Sequence, residues 1–131
     1  MSPEELALVR AAYGAFARGD MEALTGRYLD PEIEWRTTTD VPFQGTYRGM
    51  DEFLRGMGEW TEAFDEMTTE VEEMIDAGER AVVLHRMRGR GRDSGVVVDL
   101  ALWQVVAVRE GKLVSMHDYP SREEALEAAR D

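Results

Sequence analysis

The sequence predicts an α+β domain in which three helices and one short strand precede a four-strand antiparallel meander. Three observations carry this. Apolar residues recur at helical spacing through most of the first 64 residues. The apolar period then changes to two. Turn residues divide the second half into four segments. Such a sheet must cover one face with the helices, so it curls over them and leaves a conical cavity between.

The elements follow in order. Ser2 caps a first helix, with Pro3 at its first position and Glu4 and Glu5 in its first turn. Leu6, Val9, Tyr13 and Phe16 form its inward face. Gly19 stops it, and Asp20 caps a second helix that buries Ala23, Leu24 and Tyr28. Asp30-Pro31 breaks the chain, and Ile33 and Trp35 alternate with Glu34 and Arg36 as a short strand. Residues 37–49, with Pro42 and two glycines, read as a loop, and 50–64 as a third helix through Phe53, Leu54, Met57, Trp60 and Phe64. Strands are predicted at 68–75, 81–87, 96–108 and 113–119, separated by turns at 76–79 and 109–112 and a polar loop at 89–95. Ser121 and Glu124 form a capping box for a short final helix.

Nothing divides the 131 residues, so residues 1–131 read as one domain. A 44% hydrophobic content supports a packed core, and the absence of Cys leaves no disulfide framework, thiol nucleophile or zinc ribbon. The net charge is −12, with −13 in residues 1–79 and +1 beyond. That balance repels phosphate backbones, so no nucleic-acid partner is expected. No apolar run approaches the ~20 residues of a membrane span, so no membrane partner is expected. The start, MSPEELALVR, lacks the pattern of a signal peptide, and a cytoplasmic location follows by default.

Strand parity decides which side chains enter the cone. The turn after Val108 has two readings. A two-residue loop, Glu110-Gly111, pairs Arg109 with Lys112 and sets Gln104 against His117. A three-residue loop with Gly111 at a bulge pairs Val108 with Lys112, setting Gln104 against Met116 and Leu102 against Asp118. The second is favoured because it joins two apolar rows: Val96, Val98, Leu100, Leu102 and Val106, and Val114 and Met116. The pocket then has apolar walls with His85, Gln104 and Asp118 as polar exceptions, completed by Tyr13 and Trp35. Trp103 and His117 fall on the convex face, where Arg86 or Arg88 can pair with Asp99. An apolar convex face around Trp103 points to a homodimer through that face.

Each candidate has a plainer reading: His85 as a hydrogen-bonded core histidine, Asp118 in a strand-end salt bridge, Asp40 as an exposed loop acid, Trp35 as core. A buried carboxylate costs several kcal/mol unless partnered, which makes Asp118 the sharper signal. A near-neutral imidazole suits proton transfer, so His85 and Asp118 are expected to meet as a dyad. No metal-ligand spacing occurs, and neither metal nor cofactor is expected.

The segments YGAFARGDMEALTGRYLDPEIEW (13–35), YRGMDEFLRGMGEW (47–60), VEEMIDAGERAVVLHRMRGRG (71–91) and VAVREGKLVSMHDYPSREEALEAA (106–129) together resemble the SnoaL-like branch of the nuclear transport factor 2-like superfamily. The resemblance runs nearly end to end. It implies a cone-shaped, mixed or antiparallel sheet wrapped around three N-terminal helices, a pocket inside the cone and, usually, a homodimer. The superfamily includes steroid isomerases, polyketide cyclases, epoxide hydrolases, dehydratases and non-catalytic binders, and fold does not select among them. The epoxide-hydrolase branch has a catalytic acid in a terminal-strand segment like His117-Asp118-Tyr119, but its Arg and Asp two apart are not matched by His85-Arg86-Met87-Arg88. The steroid-isomerase branch has a base Asp before the Gly that starts the third helix, and Asp40 stands nine residues before Gly49.

Two functions follow. The first is a small-molecule pocket that binds an apolar or cyclic ligand through Tyr13, Trp35, Leu102, Gln104 and Met116. The alternative is a cofactor-independent general acid–base enzyme of isomerase, cyclase or hydrolase type, using His85 and Asp118, with Asp40 as a further candidate base.

Overall fold

A computed structural model describes residues 1–37 and 45–130. Helix α1 (Pro3–Arg18) is capped by Ser2 as expected, its Oγ accepting from Glu5 N–H, and Glu5 completes a capping box that was not foreseen by accepting from Ser2 N–H. It ends at Gly19, whose φ of 72° suits a residue without Cβ. Asp20 accepts from Ala23 N–H to start α2 (Met21–Ala23), which widens into a π turn over Leu24–Tyr28. Helix α3 (Gly49–Ala63) turns Phe53, Gly56, Met57 and Trp60 inward. Helix α4 (Arg122–Arg130) closes the chain; Ser121 Oγ accepts from Glu124 N–H as its cap and donates to the Glu124 carboxylate, in place of the backbone bond of a full capping box.

The strands are β1 (Leu29–Arg36), β2 (Thr46–Arg48), β3 (Phe64–Asp76), β4 (Arg80–Gly91), β5 (Val97–Arg109) and β6 (Lys112–Tyr119). They form one sheet in the order β2-β1-β6-β5-β4-β3, antiparallel except where β1 runs parallel to β6. This is the mixed, curved α+β sheet the pattern predicts, unclosed, with α1 and α3 packed inside its curve. The main core joins Val9, Ala12, Tyr13, Ile33, Trp35, Phe53, Trp60, Val83, Val106 and Leu113.

Four expectations change. The segment read as a loop before α3 contains β2, whose Tyr47 pairs with Trp35. Its ring stacks on the Trp35 indole, centroids 5.1 Å apart, and lies against Gly56, where a Cβ would meet ring carbons at 2.8 Å. No local period announces a three-residue strand; tertiary pairing makes it. Strands β3 and β4 also run past their predicted ends, because Phe64↔Gly91 and Asp65↔Arg90 continue the ladder where Gly and Arg suggested a loop.

The last hairpin takes the two-residue turn after all, with Glu110 and Gly111 both at positive φ (51° and 78°). One extra residue in β6, Val114, then bulges opposite Ala107 and Val108. The bulge offsets the register by one, so Gln104 pairs with Asp118 and Val106 with Met116. Neither predicted pairing of Gln104 forms. Beyond the bulge the parity of the apolar rows survives, with Met116 facing in, because a turn error and a bulge error cancel; before it Leu113 faces the cavity where Val114 was expected.

The convex face is also not as expected. Helix α4 lies over it, and Ala125 and Ala129 bury against Val82 and Val105, with Trp103 and Tyr119 at the margin and Arg122 over the Trp103 ring. Farther along, the face is an ion-pair ladder: Arg86 with Glu72 and Asp99, Arg88 with Glu70 and Asp99. Trp103 is therefore not the centre of an open apolar patch. Val96, expected in the concave row, is 60% exposed beyond the start of β5.

Candidate functional site

Inside the cone is a cavity of about 580 Å³ of empty space with its mouth included, of which about 60 Å³ is open to the centre of a water-sized sphere. That inner space suits several waters or one small ring. Its walls come from every inward-facing element: Ala12, Tyr13 and Phe16 of α1, Leu24 of the π turn, Phe53, Met57 and Trp60 of α3, and Leu29, Trp35, His85, Met87, Leu102, Gln104, Leu113 and Met116 of the strands. No Asp, Glu, Lys or Arg lines it among the described residues. Tyr13, Trp35, His85, Leu102, Gln104 and Met116, singled out from parity and helix spacing, are thus brought to one cavity. Met87 joins them from the concave parity of β4, whereas Phe16, Phe53, Met57, Trp60, Leu24, Leu29 and Leu113 were not assigned to it. Their only signal was inward periodicity, which does not separate a cavity wall from solid core.

The polar groups form a chain. The Tyr13 hydroxyl donates to Gln104 Oε1 at 2.6 Å, and Gln104 Nε2 donates to Asp118 Oδ1 at 2.7 Å. Adjacent strands supply Gln104 and Asp118 at paired positions, and α1 lays Tyr13 across them. Asp118 lies behind the cavity wall, 5% exposed. The Trp35 indole N–H is close enough to the carboxyl to lower its pKa, yet Trp35 Nε1 and Asp118 Oδ2 are both buried without a hydrogen-bond partner. Burial outweighs Gln104 and Trp35 and pushes the Asp118 carboxyl up to about 7. Burial, with the nearby Asp118, also raises the Tyr13 phenol well above its ordinary value.

His85 lies edge-on to the Tyr13 ring, centroids 4.9 Å apart, and to Phe16 at 6.0 Å. Among the described residues its ring nitrogens make no hydrogen bond; it is neither the hydrogen-bonded core histidine nor half of a dyad. Burial alone lowers its pKa to about 4, so the imidazole is neutral near pH 7. The expected contact with Asp118 does not form: His85 pairs with Leu102, and Gln104 takes the carboxylate that the dyad required. Two residues along a strand is enough to separate them. Asp40 lies outside the described residues. His117 faces outward, bound to Glu34 at 2.9 Å.

Among the described residues no three His, Cys, Asp or Glu side chains gather as a metal site. No helix of the described residues is long and apolar enough to cross a membrane.

The fold is shared with solved structures. An NTF2-like protein of unknown function from Burkholderia pseudomallei is 26% identical, each chain covered over 100% of its length, with a TM-score of 0.78. A protein of unknown function with a cystatin-like fold from Xanthomonas campestris is 20% identical over 93% of this chain and 96% of that one, TM-score 0.77. A protein from Jannaschia sp. CCS1 described as a SnoaL-like polyketide cyclase is 18% identical over 98% and 94%, TM-score 0.74. No curated protein matches the sequence. The SnoaL-like domain matches residues 9–116, most of the chain and every residue of the cavity wall, and the chain belongs to that family.

Proposed function

We propose that this chain binds a compact, apolar, ring-bearing small molecule inside the cone. The observation that carries the proposal is the cavity itself: enclosed, uncharged, lined by five aromatic rings and three methionines, with the unengaged nitrogens of a neutral His85 on its wall. Met and aromatic side chains adapt to flat or saturated rings. The family contains small-molecule pocket proteins, which agrees with this reading. A library of neutral cyclic compounds screened by ligand-observed NMR tests it. Saturable binding by some members, abolished when Leu102→Trp fills the cavity, supports it. Binding that survives Leu102→Trp, or no binding by any member, refutes it.

A second reading, acid–base chemistry on the bound ring, is favoured by one observation: a carboxyl at about 7 stands one amide away from Tyr13. Turnover of any ligand that binds, lost in Asp118→Asn, distinguishes it from binding alone. The proposal includes a cytoplasmic location and a homodimer through the part of the convex face that α4 leaves open. A monomer in light scattering at micromolar concentration removes the dimer and leaves the pocket untouched.

A further inference from the structure

Between the cavity and the buried carboxyl run only Tyr13 and Gln104, and each has a fixed sense. Oδ1 of an ionised Asp118 accepts from the amide N–H, so Gln104 Oε1 must face Tyr13 and accept its proton. The Tyr13 oxygen then turns its lone pairs toward the cavity, where the Met116 Sδ on the wall is 3.5 Å away. If Asp118 gains a proton, this order is no longer the best one. The O–H needs an acceptor, and its neighbours offer only the Gln104 N–H and the Trp35 N–H, both donors. Rotating the Gln104 amide by half a turn resolves this. Asp118 O–H then donates to Gln104 Oε1, Gln104 Nε2 donates to the Tyr13 oxygen, and the Tyr13 proton turns to the cavity side, where the Met116 Sδ or a ligand oxygen accepts it. The Trp35 N–H, which has no hydrogen-bond partner in the ionised arrangement, is left beside the carbonyl oxygen of the acid. One proton enters from solvent, no bond between heavy atoms changes, and Tyr13, Gln104 and Asp118 stay linked by two hydrogen bonds.

We propose that the Asp118–Gln104–Tyr13 chain is a reversible polarity switch for the ligand: with Asp118 ionised, Tyr13 accepts and the cavity prefers a hydroxyl, and with Asp118 protonated, Tyr13 donates and it prefers a carbonyl. This rests on the reading of the cavity as a binding site. The switch is carried by geometry: two short hydrogen bonds in series between buried groups, with an otherwise orphaned Oδ2 beyond them. Burial places the Asp118 carboxyl at about 7, within reach of ordinary pH. Few other groups interfere. Facing the chain, α1 supplies only Tyr13 and β4 only His85, neutral above about pH 4; α3, β1 and β5 supply no titratable group. The neighbours of Asp118 on β6 point outward, His117 to Glu34 and Tyr119 to Arg36.

The ligand class follows. It is neutral, since no cation lines the cavity to hold a carboxylate, and it carries one oxygen on a small ring at the alcohol or ketone oxidation level. Cyclohexanol and cyclohexanone are matched probes that do not ionise. Their dissociation constants are measured by NMR at about pH 5.5 and about pH 8.5, on either side of the Asp118 transition. The ratio of cyclohexanol to cyclohexanone affinity should rise about tenfold with pH, the worth of one hydrogen bond made or lost, mostly through weaker ketone binding. In Tyr13→Phe and in Asp118→Asn the ratio should not change with pH. Either variant suffices if the other does not fold. A wild-type ratio independent of pH overturns the switch and leaves the pocket standing. A pH dependence that persists in Tyr13→Phe also overturns it. No binding of either probe at either pH overturns the pocket reading and the switch together.

Discussion

Gln104 and Asp118 sit opposite each other on β5 and β6 and are joined by a 2.7 Å hydrogen bond with almost no access to solvent. This pairing exists because Val114 bulges out of β6; without the bulge, His117 would face Gln104 and the carboxyl would point outward. Placing an acid there has a cost that depends on pH, and the consequences are measurable.

Asp118 has a folded-state pKa near 7, above its ordinary 3.8. A raised carboxyl stabilises the fold fully below its unfolded pKa, and that contribution is lost as pH rises toward 7. Asp118→Asn keeps the acceptor for Gln104 and cannot ionise. The variant is therefore expected to be more stable than the wild type at pH 8, by on the order of 4 kcal/mol, and to lose that advantage by pH 4. Thermal unfolding at both pH values reads this directly. An Asn variant less stable than wild type at pH 8 contradicts the burial account.

His85 behaves with the opposite sign. Its folded pKa of about 4 lies below the ordinary 6.5, so stability is present above 6.5 and declines as pH falls toward 4. Its NMR titration should centre near 4 and should not move in Asp118→Asn, because the two side chains do not touch. A His85 midpoint above 6 that falls in Asp118→Asn would restore the dyad. Replacing His85 by Gln should flatten the acid limb of stability.

Gly56 is needed for space. A Cβ there would stand 2.8 Å from the Tyr47 ring, which itself stacks on Trp35. Gly56→Ala should cost about 1–3 kcal/mol despite the higher helix propensity of Ala, as overpacking does. The near-UV circular dichroism of the Trp35–Tyr47 stack should change with it. An Ala variant as stable as wild type, with an unchanged spectrum, contradicts this packing.

Helix α4 is held to the outer sheet by small apolar contacts, with Ala125 fully buried. Ala125→Asp should bury an unpaired charge and detach α4, costing about 3 kcal/mol or more. Hydrogen exchange should then quicken across Arg122–Arg130 while the cavity strands stay protected. By contrast, Arg86→Ala, which removes exposed ion pairs to Glu72 and Asp99, should cost about 1 kcal/mol or less.

Most of the fold was legible because it rests on local signals. The Ser2 and Asp20 caps, the Gly19 stop and the alternation in β4 and β5 each act over a few residues. What escaped depends on partners distant in sequence. Strand β2 forms only because Trp35 offers an edge to Tyr47, and the Val114 bulge cannot be told from an ordinary strand residue by its own chemistry. The candidate site divides the same way. Parity placed His85, Gln104 and Asp118 on the concave face, but contact between them needs register, so the chain through Gln104 was read as a dyad. The outer face was misjudged for a similar reason: Ala125 and Ala129 are too small to mark α4 as a covering helix.

The proposed function requires that a small neutral ring enters the cone interior. Intermolecular nuclear Overhauser effects from cyclohexanone in the presence of the protein test it most directly. Contacts are expected to the methyl groups of Met57 and Met116 and to the His85 ring, all on the cavity wall, and are expected to vanish in Leu102→Trp. Contacts confined to the outer face near Trp103 and α4, or none at saturating probe, would contradict it.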